Sequence, residues 1–297
     1  MKKLIAATIS ELIETFSVKK YLLSIVVILL VCYINYYSPF HFWLRAEGFL
    51  FSAFWYFALF SFFFITGLLI ETGKIEIKNK TLLNILFFAP LLFALKVSIP
   101  FYKILPFQNG SSNQLAFQQP SAWVGGLVVL SVLLFFYHKL VEGSWNLYGI
   151  KKTTSLRPYI LLIVLMIPLL IWASLQKDFS IVYPKAKAIA NYLGTSANPL
   201  HYLLFEAAYA CDFISIELFF RGFLNIILSK ILGKHCILPI ALFYFSIHLG
   251  KPMFEAISSF FGGMILGTIS YQTKSIWGGW LVHVSIAILM ELFGFLF

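Results

Sequence analysis

The side chains able to do chemistry are crowded into the last stretch of this chain. Glu206, Asp212, Glu217 and Arg221 fall in one apolar run, His248 in the next, and His283 and Glu291 in the last. The segment IELFFRG sets Glu217 and Arg221 four residues apart, one helical turn, so the two charges can pair on a single face. Ionisable groups inside apolar runs are rare and costly, so each is a candidate for function, with an architectural ion pair within lipid as the competing reading and a proton relay in a transporter as a further one. Glu206 and Glu291 read as structural or interfacial groups.

These groups need elements that can carry charge into an apolar medium. Hydrophobic residues make up 60% of the 297-residue chain and charged residues 11%, and the mean hydropathy is +0.88. A water-soluble surface cannot be built from that composition, so the chain is an integral membrane protein. Strict polar and apolar alternation is missing, which excludes a barrel and leaves helices that satisfy their own backbone. The expected fold is an all-α polytopic transmembrane bundle of about eight or nine spans: 21–38, 48–70, 81–101, 122–137, 158–175, about 201–232, 236–250, 254–272 and 275–296. The first span is expected to be retained, since no small-residue cleavage pattern follows it.

Basic residues favour an N-terminus on the cytoplasmic side by two to one, with Lys96, Lys185 and Lys187 in the minority on the other side. An inner, cytoplasmic membrane is the expected location. The net charge of +10 follows from that topology and from anionic headgroups, and no basic stripe with interleaved aromatics points to nucleic acid. The 33 Phe and 15 Tyr suit lipid-facing and interfacial positions. Cys32, Cys211 and Cys236 are scattered apolar side chains without a C-x-x-C pair. Residues 102–121 and 176–198 are the two long connections, and the second is expected to hold an amphipathic helix at the interface. Two regions of one membrane unit follow, helices of unassigned role over 1–197 and the polar-bearing helices over 198–297.

Counting about 1.5 Å per residue from Lys230, Lys234 and Lys274 puts Glu217, His248 and His283 at comparable depths, about 20, 21 and 14 Å along their helices. The three are expected to form one polar cluster. Serine chemistry is not indicated, because no G-x-S-x-G turn accompanies Ser246, Ser258, Ser259 or Ser285. SSFFGGMILG, from Ser258 to Gly267, reads as a close-packing face.

IELFFRG, then YFSIH, then HVSIA, resembles the motif series of the CPBP family of membrane proteases, which includes CAAX prenyl endopeptidases of the Rce1 type and bacteriocin-processing or immunity proteins. That family carries E-E-x-x-x-R, F-x-x-x-H and H-x-x-x-N on successive helices. The resemblance covers about residues 200–297. It lays Glu217 on the second glutamate, Arg221 on the arginine, and His248 and His283 on the two histidines, and so implies Glu217, Arg221, His248 and His283 as catalytic residues. Three positions depart from it: Ile216 replaces the first glutamate, Tyr244 the phenylalanine and Ala287 the asparagine. By the resemblance the first glutamate and His248 activate water, while His283 and the asparagine hold the oxyanion. Asp212, one turn before Ile216, is the candidate compensating base.

The reading that results is an intramembrane endopeptidase, a hydrolase acting on a peptide or lipidated protein in the bilayer. The alternatives are a catalytically silent relative that binds a membrane partner and, further off, the transporter or relay. Members of this family are often labelled metalloproteases, and His248, His283 and a carboxylate could hold zinc with an open position. No His-Glu-x-x-His pair supports a metal, so a reaction without cofactor or zinc is the expectation.

Overall fold

The computed structural model describes residues 17–39, 48–142, 148–150 and 156–297, with Thr8, Ser10 and Glu14 before them. Of the basic residues behind the cytoplasmic bias, Lys2, Lys3, Arg45, Lys151 and Lys152 lie outside the described residues. Among the described residues there are helices and no strands. Eight helical stretches among the described residues are long and apolar enough to cross a bilayer.

The first five are α1 (Val18–Tyr37), α2 (Phe49–Thr72), α3 (Lys80–Ser98), the helix over 118–140 that begins as α5 (Gln118–Tyr137), and α6 (Arg157–Ser174). A short α4 (Ser112–Ala116) precedes α5. The sixth stretch, 48 residues from Pro199 to Ser246, would be about 72 Å long as one rod, more than twice a bilayer core. It folds back instead. α9 (Pro199–Glu217) runs through a π-wound segment (Leu218–Leu224) into α10 (Asn225–Leu232), and Gly233, at φ +57°, ends that helix. A left-handed φ there is open to glycine at little cost, which is why the chain can reverse at that point. α11 (Ile237–Ser246) returns beside it, then α12 (Met253–Thr273) and α13 (Trp277–Leu296) complete the bundle.

α11 is the hub, buried at every position from Ile237 to Ser246. Small residues let neighbours reach it. A Cβ on Gly67 of α2 would sit 2.6 Å from the Pro239 backbone, and one on Gly263 of α12 would sit 3.3 Å from Ala241. The expectation that SSFFGGMILG packs closely holds at Gly263. Around α11 the phenylalanines form a core of ring contacts: Phe93 meets Phe219 at 5.0 Å, and Phe220 meets Phe243 at 5.1 Å. Phenylalanine therefore serves both environments. Phe60, Phe63, Phe64 and Phe243 are buried, whereas Phe54, Phe62 and Phe87 are exposed on the outer surface, where lipid is expected. Large rings bury the most apolar area per residue, and offset and edge contacts add to that.

The connection over 176–198 holds α7 (Lys177–Val182) and α8 (Lys187–Leu193). It is packed onto the bundle, with Phe179, Tyr183 and Ile189 buried. Glu291 of α13 accepts hydrogen bonds from the backbone N–H groups of Lys185 and Ala186, at 2.8 and 3.0 Å. Glu291 thus satisfies the backbone ahead of α8. Lys96, counted from sequence as an outer-side cation, lies inside α3 at 7% exposure, its ammonium 2.7 Å from Asp212.

Candidate functional site

The π-wound segment buries all seven of its residues, Leu218 to Leu224, and joins directly to Glu217. Segments of this winding are uncommon and recur at functional sites. Glu217 and Arg221 are fully buried, with Arg221 Nη1 3.5 Å from Glu217 Oε1. The same carboxylate oxygen lies 2.9 Å from His283 Nδ1 on α13. Gly279, one turn before His283, makes room for this contact, since a Cβ there would stand 1.9 Å from Glu217 Oε2.

Beyond His283 the chain of polar contacts continues. Its Nε2 lies 2.6 Å from the Tyr244 hydroxyl on α11. Phe213 stacks on the imidazole at 5.6 Å, nearly parallel, and the Arg221 guanidinium sits 4.2 Å above the Tyr244 ring. His283 Nδ1 and the Glu217 carboxylate face each other at ion-pair distance without a hydrogen bond between them, and the ring's hydrogen bond is the one its Nε2 makes with the Tyr244 hydroxyl. A cation over the ring face offsets part of the cost of burying that charge.

His248 sits in the turn between α11 and α12. Its Nδ1–H donates to the Tyr244 carbonyl at 2.9 Å, which leaves Nε2 with the lone pair. Burial holds its proton affinity well below the ordinary histidine range, with the Lys251 charge acting the same way. The turn is clamped from α1, where Asn35 Nδ2 donates to the Leu249 carbonyl at 2.5 Å and Tyr36 O–H to the Lys251 carbonyl at 2.6 Å.

A cavity of about 470 Å³ opens against this wall, with His248, Tyr244, His283 and Ala287 on one side and apolar side chains of α6 and α12 on the other. Its polar mouth carries Lys251 and Glu255, paired at 2.7 Å, with Tyr183 O–H donating to Glu255 at 3.0 Å. An apolar cleft with a few placed polar groups is the usual form of a binding site.

The sequence-derived candidates therefore separate. His248 and His283 share the cavity wall. Glu217 and Arg221 lie behind it, holding His283 and Tyr244 in place. Asp212 takes Lys96 as its partner and also accepts from the Ser215 hydroxyl at 3.3 Å. Ile216 is buried in the main apolar cluster. Glu255 was passed over from sequence, although it had a signal, an acidic residue four after Lys251 at a helix start. Tyr244 was read only as a departure from the motif phenylalanine, without a role for its hydroxyl, four residues before His248.

Among the described residues no three His, Cys, Asp or Glu side chains converge, and His248 Nδ1 is bonded to backbone. A catalytic zinc takes three protein ligands as a rule.

Residues 198–289 match the family model described as type II CAAX prenyl endopeptidase, Rce1-like. The segment runs from the start of α9 into α13 and contains Glu217, Arg221, Tyr244, His248 and His283, in agreement with the CPBP resemblance of its motifs. No curated protein and no solved structure gives a significant match to the chain.

Proposed function

We propose, on the premise of that Rce1-like segment, that this integral membrane protein is an endopeptidase hydrolysing a peptide or lipidated protein at the bilayer. What supports the reading is one observation: both motif histidines face a single apolar cavity, one of them with a free basic nitrogen. In this reading His248 Nε2 takes a proton from a water as its oxygen attacks the scissile carbonyl, and the carbonyl π electrons move to oxygen. The proton then passes to the leaving nitrogen as the C–N bond breaks, releasing an amine and a carboxylic acid. The Glu217–His283 pair supports the oxyanion side of the cavity. No metal enters any step of this reading.

A second reading has its own observation. Ile216 is apolar, Asp212 is tied to Lys96, and Glu217 is buried behind His283, so none of the three carboxylate positions considered from sequence offers a base to water beside His248. A silent relative that binds a membrane partner in the same cavity would look like this. The N-terminus is taken to face the cytoplasm, with a single inner membrane as location, and reporter fusions to each terminus test that.

The test of hydrolysis uses the full chain in liposomes with a quenched fluorescent peptide bearing an S-farnesyl cysteine four residues from its C-terminus. His248→Ala and His283→Ala should each abolish cleavage, and a zinc chelator should leave the wild type unaffected. Cleavage unchanged in both variants sinks the assignment. No cleavage by wild type, with a biological effect that both variants retain, favours the silent binder.

A further inference from the structure

The hydroxyl of Tyr244 is the remaining donor on the histidine wall of the cavity. His283 cannot present an N–H to a bound carbonyl itself, because Nδ1 is turned to Glu217 and Nε2 to Tyr244. His248 commits its N–H to backbone. The nearby serines are spent within their own helix, Ser258 on the Glu255 carbonyl and Ser259 on the Ala256 carbonyl. Ala287, one turn beyond His283 and also on the cavity wall, has no polar atom in its side chain.

Resting on the peptidase reading above, we infer that Tyr244 is a catalytic residue of this chain, its hydroxyl turning from His283 Nε2 into the cavity to donate to the oxyanion. The geometry gives the switch a direction. At rest the hydroxyl is held 2.6 Å from His283 Nε2, so it is kept at the wall. Rotation about the Cζ–O bond brings the proton toward the cavity. A hydrogen bond to a charged oxygen is roughly twice as strong as one to a neutral acceptor, so the exchange becomes favourable as charge builds on the carbonyl. An interaction gained only then raises turnover without tightening substrate binding. Arg221 strengthens the donor, since its guanidinium, 4.2 Å above the ring, withdraws charge from the phenol.

The experiment compares Tyr244→Phe with wild type and His248→Ala, all full-length in liposomes, on the farnesylated peptide. Tyr244→Phe removes one oxygen from a ring that stays packed. The expected result is kcat lowered about 100-fold or more, with KM changed less than about threefold. Thermal midpoints of the purified variants check that folding is intact. Binding supplies a second readout that needs no turnover. A farnesylated peptide with a phosphinate in place of the scissile amide should bind Tyr244→Phe at least about tenfold more weakly than wild type, while the N-methyl amide peptide binds both alike. If kcat and phosphinate affinity are unchanged in Tyr244→Phe while His248→Ala is inactive, the Tyr244 role is overturned and the peptidase reading stands. If wild type neither cleaves the peptide nor prefers the phosphinate, the peptidase reading falls and this inference with it.

Discussion

Gly279→Ala puts the geometry of the Glu217–His283 contact to a direct test. The added Cβ would lie 1.9 Å from Glu217 Oε2 and 2.6 Å from its Cδ, where ordinary contact needs about 3.4 Å or more. The carboxylate must therefore withdraw by roughly 1.5 Å, and it cannot do so while keeping Oε1 at 2.9 Å from His283. Two costs follow. Losing the buried contact between carboxylate and imidazole costs about 1.5–3 kcal/mol, as for other contacts to a charged group, and forcing a group into a packed interior adds about 1–3 kcal/mol. Against these stands the helical gain of alanine over glycine, up to about 1 kcal/mol. The net expectation is a loss of about 2–5 kcal/mol. Gly262→Ala supplies the control, for a Cβ there meets nothing within 4 Å, and the propensity gain should appear alone. Denaturant unfolding of both variants in mixed micelles, followed by tryptophan fluorescence, gives the two values. A Gly279→Ala protein as stable as Gly262→Ala would refute the placement of Glu217 against α13.

The Lys96–Asp212 pair predicts a separation of stability from activity. Asp212→Asn leaves a buried ammonium unmatched and should cost about 3–5 kcal/mol, whereas Lys96→Met with Asp212→Leu should restore most of it. Per folded molecule, cleavage by Asp212→Asn should equal wild type, and a loss of kcat without a loss of stability would return Asp212 to the role of base. For His248 the folded state binds its proton less readily than the unfolded chain, whose ordinary value is 6.5. Stability should therefore fall as pH drops below about 6.5, and the acid limb of kcat/KM should lie below that value, since His248 is still neutral there. An acid limb centred above 6.5 would contradict the environment described for this ring. Gly278→Ala would drive a Cβ to 1.9 Å from the Tyr159 ring and should weaken the α13–α6 contact, visible as a lowered unfolding midpoint where the Gly262→Ala control shows none.

Much of this molecule was legible in one dimension. Long apolar runs can only be membrane helices, because lipid gives backbone groups no partner outside a helix or a closed barrel. The run from Pro199 to Ser246 shows how far such reasoning reaches: its length forbids a single pass, and Gly233 marks the reversal. Glu217 and Arg221 could be paired from their spacing, and His248 and His283 could be set at one depth by counting residues from lysines. Asp212 and Tyr244 show where it stops. Asp212 sits one turn from Ile216, which made it a candidate base, yet its partner Lys96 is 116 residues away on α3.

Sequence by itself determined the solvent of this protein, its helical class, and the short roster of groups able to do chemistry, since each follows from composition or from the helical period. Tertiary packing decided what those groups do. A helix fixes neighbours only at three and four residues, and the angle at which two helices meet depends on the side chains between them. The room left by Gly279 turns Glu217 toward His283, and the crossing of α11 with α13 brings the Tyr244 hydroxyl to the other side of the same ring. Those contacts join residues 66 and 39 positions apart, where no local rule acts, and they separate the wall of the cavity from the charges that support it.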